Sequence, residues 1–355
     1  MQLHEFYRGK RVFVTGHTGF KGSWLCRMLL EAGAQVTGYS LPAPTQPNLF
    51  SLAGLEGQME SVTGDVRDLD ALQSAFEKAA PEIVFHLAAQ PLVRESYRLP
   101  RNTYETNVMG TVNILECVRQ SRAVRSFLNV TTDKVYQNRE WEWGYRENDP
   151  LDGYDPYSNS KSCSELVTHS YRCSFFQDPD GPVISTARAG NVIGGGDFAL
   201  DRIIPDCVRA AMAGKVIEVR NPYSTRPYQH VLEPLTAYLL IAARQWKEPE
   251  LAGWYNVGPD DCDCLTTGEL VGLFCSCWGE GLRWENKSER GPHEANFLKL
   301  DCSRLKSRMG WAPRWHIPQA VDATVEWTKG WLAGEDIGTI MDRQILTFRK
   351  EEYHV

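Results

Sequence analysis

The stretch RVFVTGHTGFKG, Arg11 to Gly22, decides the fold. Arg11–Gly16 is a short β-branched run, and a helical apolar pattern follows from Phe20 to Ala32 and stops at Gly33. Between them Gly16, Gly19 and Gly22 permit a tight turn. They also let a pyrophosphate approach backbone N–H groups at a helix N-terminus. The spacing is G-x-x-G-x-x-G, not the commoner G-x-G-x-x-G. A glycine triplet alone also suits an ordinary strand–helix turn, so the surrounding pattern has to carry the argument.

Further strands are expected at Gln35–Ser40, Met59–Asp65, Glu82–Ala88, Arg125–Thr132 and Val183–Gly190, separated by helical stretches such as Thr103–Gln120. Strands alternating with helices predict an α/β fold: a Rossmann-type, doubly wound parallel sheet with ligand at the strand C-termini. Beyond Val183–Gly190 glycine and proline become frequent, and short strands such as Val216–Arg220 and Trp254–Val257 alternate with isolated helices. The expected division is a dinucleotide-binding domain over 1–185 and a smaller mixed α/β substrate lobe over 186–355. The boundary is soft, because later segments are free to return to the sheet.

The 355 residues carry a net charge of −7 and no Lys/Arg run, which argues against nucleic acid as a partner. No apolar stretch is long enough to span a bilayer. The polar start MQLHEFYRGKRVFV lacks a secretory signal, so a reducing, cytoplasmic location is expected. The ten cysteines are then expected to be free thiols. Cys262-x-Cys264 and Cys275-x-Cys277 lack the two-residue gap and nearby histidine of a zinc site, and no metal is expected.

Chemistry is carried by two further motifs. Tyr157-Ser158-Asn159-Ser160-Lys161 opens a helix after Asp155-Pro156, so Tyr157 and Lys161 share one helical face. An ammonium beside a phenol favours phenolate, which can take an alcohol proton while hydride leaves to a nicotinamide. Thr131-Thr132-Asp133-Lys134 stands at the C-terminus of the fifth strand. Thr132 is expected to hydrogen-bond the reacting hydroxyl. Asp133 and Lys134 are an acid and a cation at the reacting end of the sheet, with a loop salt bridge as the plainer reading. Asp65, in GDVRD, is placed to accept from an adenine amino group, or else is a turn aspartate. Leu87, Ala88, Ala89 and Gln90 end the fourth strand with small residues that admit a ribose. Ser40 ends the second strand where an NAD site often has an acid, so NADP stays open beside NAD.

TGHTGFKG, GDVRD, HLAAQ, TTDKVY and YSNSK occur in the order found in the extended branch of the short-chain dehydrogenase/reductase superfamily, which this chain resembles over nearly its whole length. More narrowly it resembles the sugar-nucleotide 4,6-dehydratases of that branch. His17 and Lys21 vary the glycine loop, Lys134 stands where dTDP- and GDP-sugar dehydratases have glutamate, and RPYQHV (226–231) resembles a nucleotide-contacting segment. The resemblance implies a tightly held NAD and CDP-glucose as substrate. The product would be a 4-keto-6-deoxy sugar that leads to dideoxyhexoses of surface polysaccharide. It implies catalysis by Thr132, Asp133, Lys134, Tyr157 and Lys161. Cofactor contacts would come from Gly16 to Gly22 (His17, Thr18, Gly19, Phe20 and Lys21 included), Ser40, Asp65, Val66, Leu87 to Gln90, Asn107 and Thr131. Substrate contacts would come from Arg188, Asn191, Arg226, Asn256 and His293. A lysine, with pKa near roughly 10.4, needs burial or a cationic neighbour to act as the C5 base, or else stabilises the enolate as a cation. A homodimer or homotetramer through the helices 93–120 and 157–176 is also implied. Other dTDP- or GDP-sugar dehydratases, C4 epimerases and a non-enzymatic dinucleotide-binding protein remain alternatives.

Overall fold

A computed structural model describes residues 1–287, 297–350 and 353–355. Its centre is a parallel sheet of seven strands: β1 Arg11–Thr15, β2 Gln35–Ser40, β3 Glu60–Thr63, β4 Ile83–His86, β5 Ser126–Thr132, β6 Val183–Ala189 and β7 Trp254–Val257. The spatial order is β7-β6-β5-β4-β1-β2-β3. The winding therefore reverses between β1 and β4, the crevice where such sheets take ligands.

Strand side chains alternate between the two faces, and the burial follows that period. Val12, Val14, Ile83, Phe85, Leu128 and Val130 share one core with Trp24, Leu25 and Leu29. Phe13, Val84 and Phe127 point into the other, with Leu72, Phe76, Ile114 and Leu115. The first core is covered by α1 Phe20–Glu31, the second by α2 Leu69–Ala79 and α3 Gly110–Gln120. The long α4 Pro156–Phe175 packs beside α3. Asp155 caps it by accepting from the Ser158 N–H at 3.0 Å, and Pro156 occupies its first turn, where no N–H is needed.

The later chain does return to the sheet. β7 lies parallel to β6, α5 Leu232–Lys247 packs on β5 and β6, and α7 Ile337–Phe348 packs on α1. What remains separate is a small core of Ile204, Val208, Ile217, Val219, Val271, Phe274, Val321 and Val325, partly from α6 Ile317–Leu332. The stretch expected to be helical over Thr103–Gln120 is helical throughout, with a π-helical turn, Glu105–Met109, between Pro100–Tyr104 and α3. No helix among the described residues is long and apolar enough to cross a membrane.

Candidate active site

The glycine loop turns on Gly16, whose φ of +76° favours glycine. A Cβ there would sit 2.8 Å from the Ala88 nitrogen, and one on Gly22 would sit 2.1 Å from the Gly16 carbonyl oxygen. Gly19, the residue before α1, would meet only the Gly16 oxygen at 3.5 Å. The first and third glycines thus close the turn against protein backbone. The second leaves open the space before the helix N-terminus, as a bound pyrophosphate requires. Gly22→Ala should therefore destabilise the fold by about 1–3 kcal/mol, the usual cost of overpacking. Gly19→Ala should melt near the native temperature and instead weaken dinucleotide binding. Thermal melts and equilibrium dialysis of the two variants check this contrast.

Other loop residues are held from behind. The Thr15 hydroxyl accepts from the Leu87 and Ala88 N–H groups at 3.1 and 3.2 Å, tying the ends of β1 and β4 together. Thr18 and Ser40 share a hydrogen bond of 2.8 Å. Asn107, in the π-helical turn, accepts from the Gln90 N–H at 2.8 Å and donates to the Gln90 carbonyl and to Ser160. Its amide shapes the β4 loop instead of projecting towards a ligand. His17 is fully buried beneath the loop, against Gly38 and 2.7 Å from the Ser61 hydroxyl. Burial takes its pKa down to about 4, so it is a neutral packing group and offers a ligand its backbone only. Val66 packs on Gly110. Asp65 is bonded to the Arg67 guanidinium at 2.5 Å, which holds its carboxyl below the usual range.

At the end of β5 the side chains diverge. Thr132 donates to Asp133 at 2.9 Å and works to lower the pKa of the neighbouring Tyr157 phenol. Thr131, expected at the cofactor, points to the opposite face and donates to Glu165 at 2.5 Å. Adjacent strand residues must face apart, so only one threonine can serve the site. Asp133 is buried, and its Oδ2 has no hydrogen-bond partner. Burial raises its pKa, opposed by the nearby charges of Lys134, Arg226 and Lys21 and by the Thr132 hydrogen bond.

Tyr157 and Lys161 share the buried face of α4 as the spacing requires. The expected lowering of the phenol pKa is not what the protein alone produces. Burial pushes Tyr157 up to about 12, with the Thr132 hydrogen bond working the other way. Burial also brings Lys161 down to about 8, where Glu165 opposes the shift, and its Nζ donates to the Val130 carbonyl at 3.1 Å. Desolvation is the largest cause of both shifts.

Three groups not assigned to the reacting centre from the sequence belong there. Lys21, read as a cradle residue, extends from α1 to within 3.5 Å of the Tyr238 hydroxyl, and burial takes it to a pKa of about 7. Arg202, paired with Asp197 at 2.9 Å, acts on both Tyr157 and Lys21. Tyr238, on α5, feels Tyr157 and Asp133.

Two expected substrate contacts lie elsewhere. Arg188 is buried behind the sheet, bonded to Glu165 and the Tyr136 hydroxyl at 2.9 Å each and to the Glu147 carbonyl at 3.0 Å. Asn256 accepts from the Tyr136 hydroxyl at 2.6 Å and donates to the carbonyls of Tyr145 and Asp301. The Asn256 amide and both terminal nitrogens of Arg188 are engaged in one buried network, with only the Arg188 Nε unpartnered, so both side chains serve the structure. A cavity of about 240 Å³ borders this network at Glu165, Arg188 and Trp254, away from Tyr157. Arg226 by contrast is buried within electrostatic reach of Asp133, and Asn191 follows the end of β6. His293 lies outside the described residues.

The family profile of GDP-mannose 4,6-dehydratases matches residues 13–253. The CDP-glucose 4,6-dehydratase of Salmonella typhimurium is 50% identical over 345 residues, 96% of either chain. The dTDP-glucose 4,6-dehydratase of Xanthomonas campestris is 27% identical, over 90% of this chain and 94% of its own. Among solved structures, the UDP-glucose 4-epimerase of Thermus thermophilus in complex with NAD superposes with a TM-score of 0.79 at 24% identity, covering 90% of this chain and 99% of its own.

Proposed function

The chain belongs to the GDP-mannose 4,6-dehydratase family, and from that premise we propose that it is an NAD-dependent dehydratase converting CDP-glucose to CDP-4-keto-6-deoxyglucose. The observation that carries the reading is Asp133. A buried carboxyl with one oxygen unpartnered stands beside an alcohol-oxidising tyrosine, and burial favours its protonated form. Epimerisation at C4 needs no such acid; expulsion of a hydroxyl does. Half-identity to the Salmonella enzyme over nearly the full chain supports the cytidine nucleotide and the glucose.

The cradle fits NAD. Its glycines free the space in front of α1, and Thr18 and Ser40 close the end of β2. When bound there, NAD supplies the acceptor for the C4 hydride, its donor to C6, and a positive ring that opposes the effect of burial on Tyr157. Tyr157, oriented by Thr132, takes the 4-hydroxyl proton. The C4 ketone acidifies the C5 proton. Asp133 then protonates the departing 6-hydroxyl through the oxygen that has no other partner. Lys134, whose charge acts on Asp133, removes the C5 proton, or holds the enolate while another group removes it, and a proton returns to C5 as C6 receives hydride. Arg202, whose charge reaches Tyr157, and Arg226, whose charge reaches Asp133, are the guanidinium groups suited to a substrate phosphate.

The experiment is an incubation with CDP-glucose, dTDP-glucose and GDP-mannose in turn, each with NAD, with product mass as the readout. Loss of one water from CDP-glucose alone is expected. An isomer of unchanged mass would move the assignment to an epimerase.

Two further results follow from the same chemistry. Lys134→Met should lower turnover about 10²-fold or more, as loss of a proton-transfer or charge-stabilising group does. Full activity would exclude both roles, and steady-state kinetics decide it. The pH profile should fall on its alkaline side. Lys161 acts as an ammonium, present below its depressed pKa and lost as pH rises through about 8. Asp133 acts protonated, and that form is likewise lost as pH rises through its raised pKa. A kcat still climbing well past pH 8 would contradict the role of Lys161 as an ammonium.

A further inference from the structure

Away from the catalytic centre, the loop Asp261–Asp263 meets the start of α6. The sequence separates Cys262 from His316 by 54 positions, yet the fold brings them together over Asp263. Cys262 Sγ lies 3.9 Å from His316 Nδ1 and 3.7 Å from Asp263 Oδ2, and the nitrogen and oxygen are 2.9 Å apart. A tetrahedral zinc ion with ordinary bond lengths would set sulfur about 3.6 Å from each lighter ligand and those two about 3.4 Å apart. The three atoms already stand within half an ångström of these edges.

The remaining features also suit an ion. Asp263 is buried, and its other oxygen accepts from the Ile317 N–H at 2.8 Å, which fixes the carboxylate as an outer-shell bond would. Cys262 and His316 are exposed, so an ion can reach them and keep a water as fourth ligand. Thiolate, imidazole and carboxylate together select a borderline divalent cation over calcium or magnesium. Cys264, the other half of the C-x-C pair, points instead to the Asp260 carbonyl.

We propose that Cys262, Asp263 and His316 form a zinc-class metal site that clips the 261–263 loop to the start of α6. The loop leads into the strand Cys264–Thr266, which pairs with Thr225–Pro227 and so with Arg226. The clip therefore also steadies the strand that carries Arg226.

The test is cobalt titration of the chelator-treated full-length protein. One equivalent should produce a thiolate-to-cobalt charge-transfer band with the intense visible absorption of tetrahedral cobalt, and zinc should displace both. Cys262→Ser should abolish the charge-transfer band, and His316→Ala should weaken binding by more than the roughly 10–100-fold that loss of an outer-shell partner costs. Asp263 is not the residue to replace, since it also holds the start of α6. Cys173→Ser is the control: that exposed thiol lies 3.7 Å from His169, and its removal should change nothing. No band at saturating cobalt, or a band that survives Cys262→Ser, would overturn the site. The readout does not involve turnover, so it can fail while the dehydratase reading stands.

Discussion

Replacing Tyr157 with phenylalanine should lower turnover about 10²–10⁴-fold, the usual contribution of a positioned proton acceptor. The ring stays in its buried place on α4, and Thr132 keeps its bond to Asp133, so little of the fold is disturbed. What goes is the oxygen that accepts the 4-hydroxyl proton. The account expects a fall in kcat with KM and thermal midpoint near native, since the hydroxyl acts in the transition state and not in holding the sugar. Activity within a factor of about ten of native would mean that another group takes the proton.

The second large effect separates two steps that the family carries out in sequence. Asp133→Asn is isosteric and still accepts from Thr132, but an amide N–H is far too weak an acid to protonate a departing hydroxyl. Water loss should fall about 10²–10⁴-fold. Oxidation at C4 does not use Asp133, so quenched single-turnover reactions should contain a 4-keto sugar that still carries its 6-hydroxyl. Mass spectrometry distinguishes this from the dehydrated product. If oxidation and dehydration fell together, Asp133 would be a positioning residue for Thr132 and Tyr157.

Where local pattern determines structure, the sequence could be read. β1, β2 and β5 announce themselves as β-branched runs, and the Asp155-Pro156 start of α4 is a capping signal that aims Tyr157 and Lys161 correctly. Trp254–Val257 was recognisable as a strand. Its pairing with β6 was not, because parallel partners are joined through distant chain and leave no local mark. The π-helical turn at Glu105–Met109 was hidden because five residues are too few for their apolar spacing to tell an i→i+5 turn from an α-helical one.

The site followed the same division. Thr132 and Asp133 could be found from their motif, but Thr131 was carried along with it although the pleat turns it away. Arg188 and Asn256 look like ligands to an anionic substrate in sequence. Only the structure reveals that Glu165, Tyr136 and the carbonyls around them already use their hydrogen bonds. Arg202 and Tyr238 have no motif and reach the centre through the tertiary fold. Lys21 stands two residues beyond Gly19, in the first turn of α1, where a side chain can reach past the cradle.

The most direct measurement follows a single atom. CDP-glucose carrying deuterium at C4 would be converted by the enzyme with NAD, and the product analysed by NMR. The account expects the deuterium at C6, because the hydride taken from C4 returns there without meeting solvent. Deuterium retained at C4, or lost to water, would contradict it.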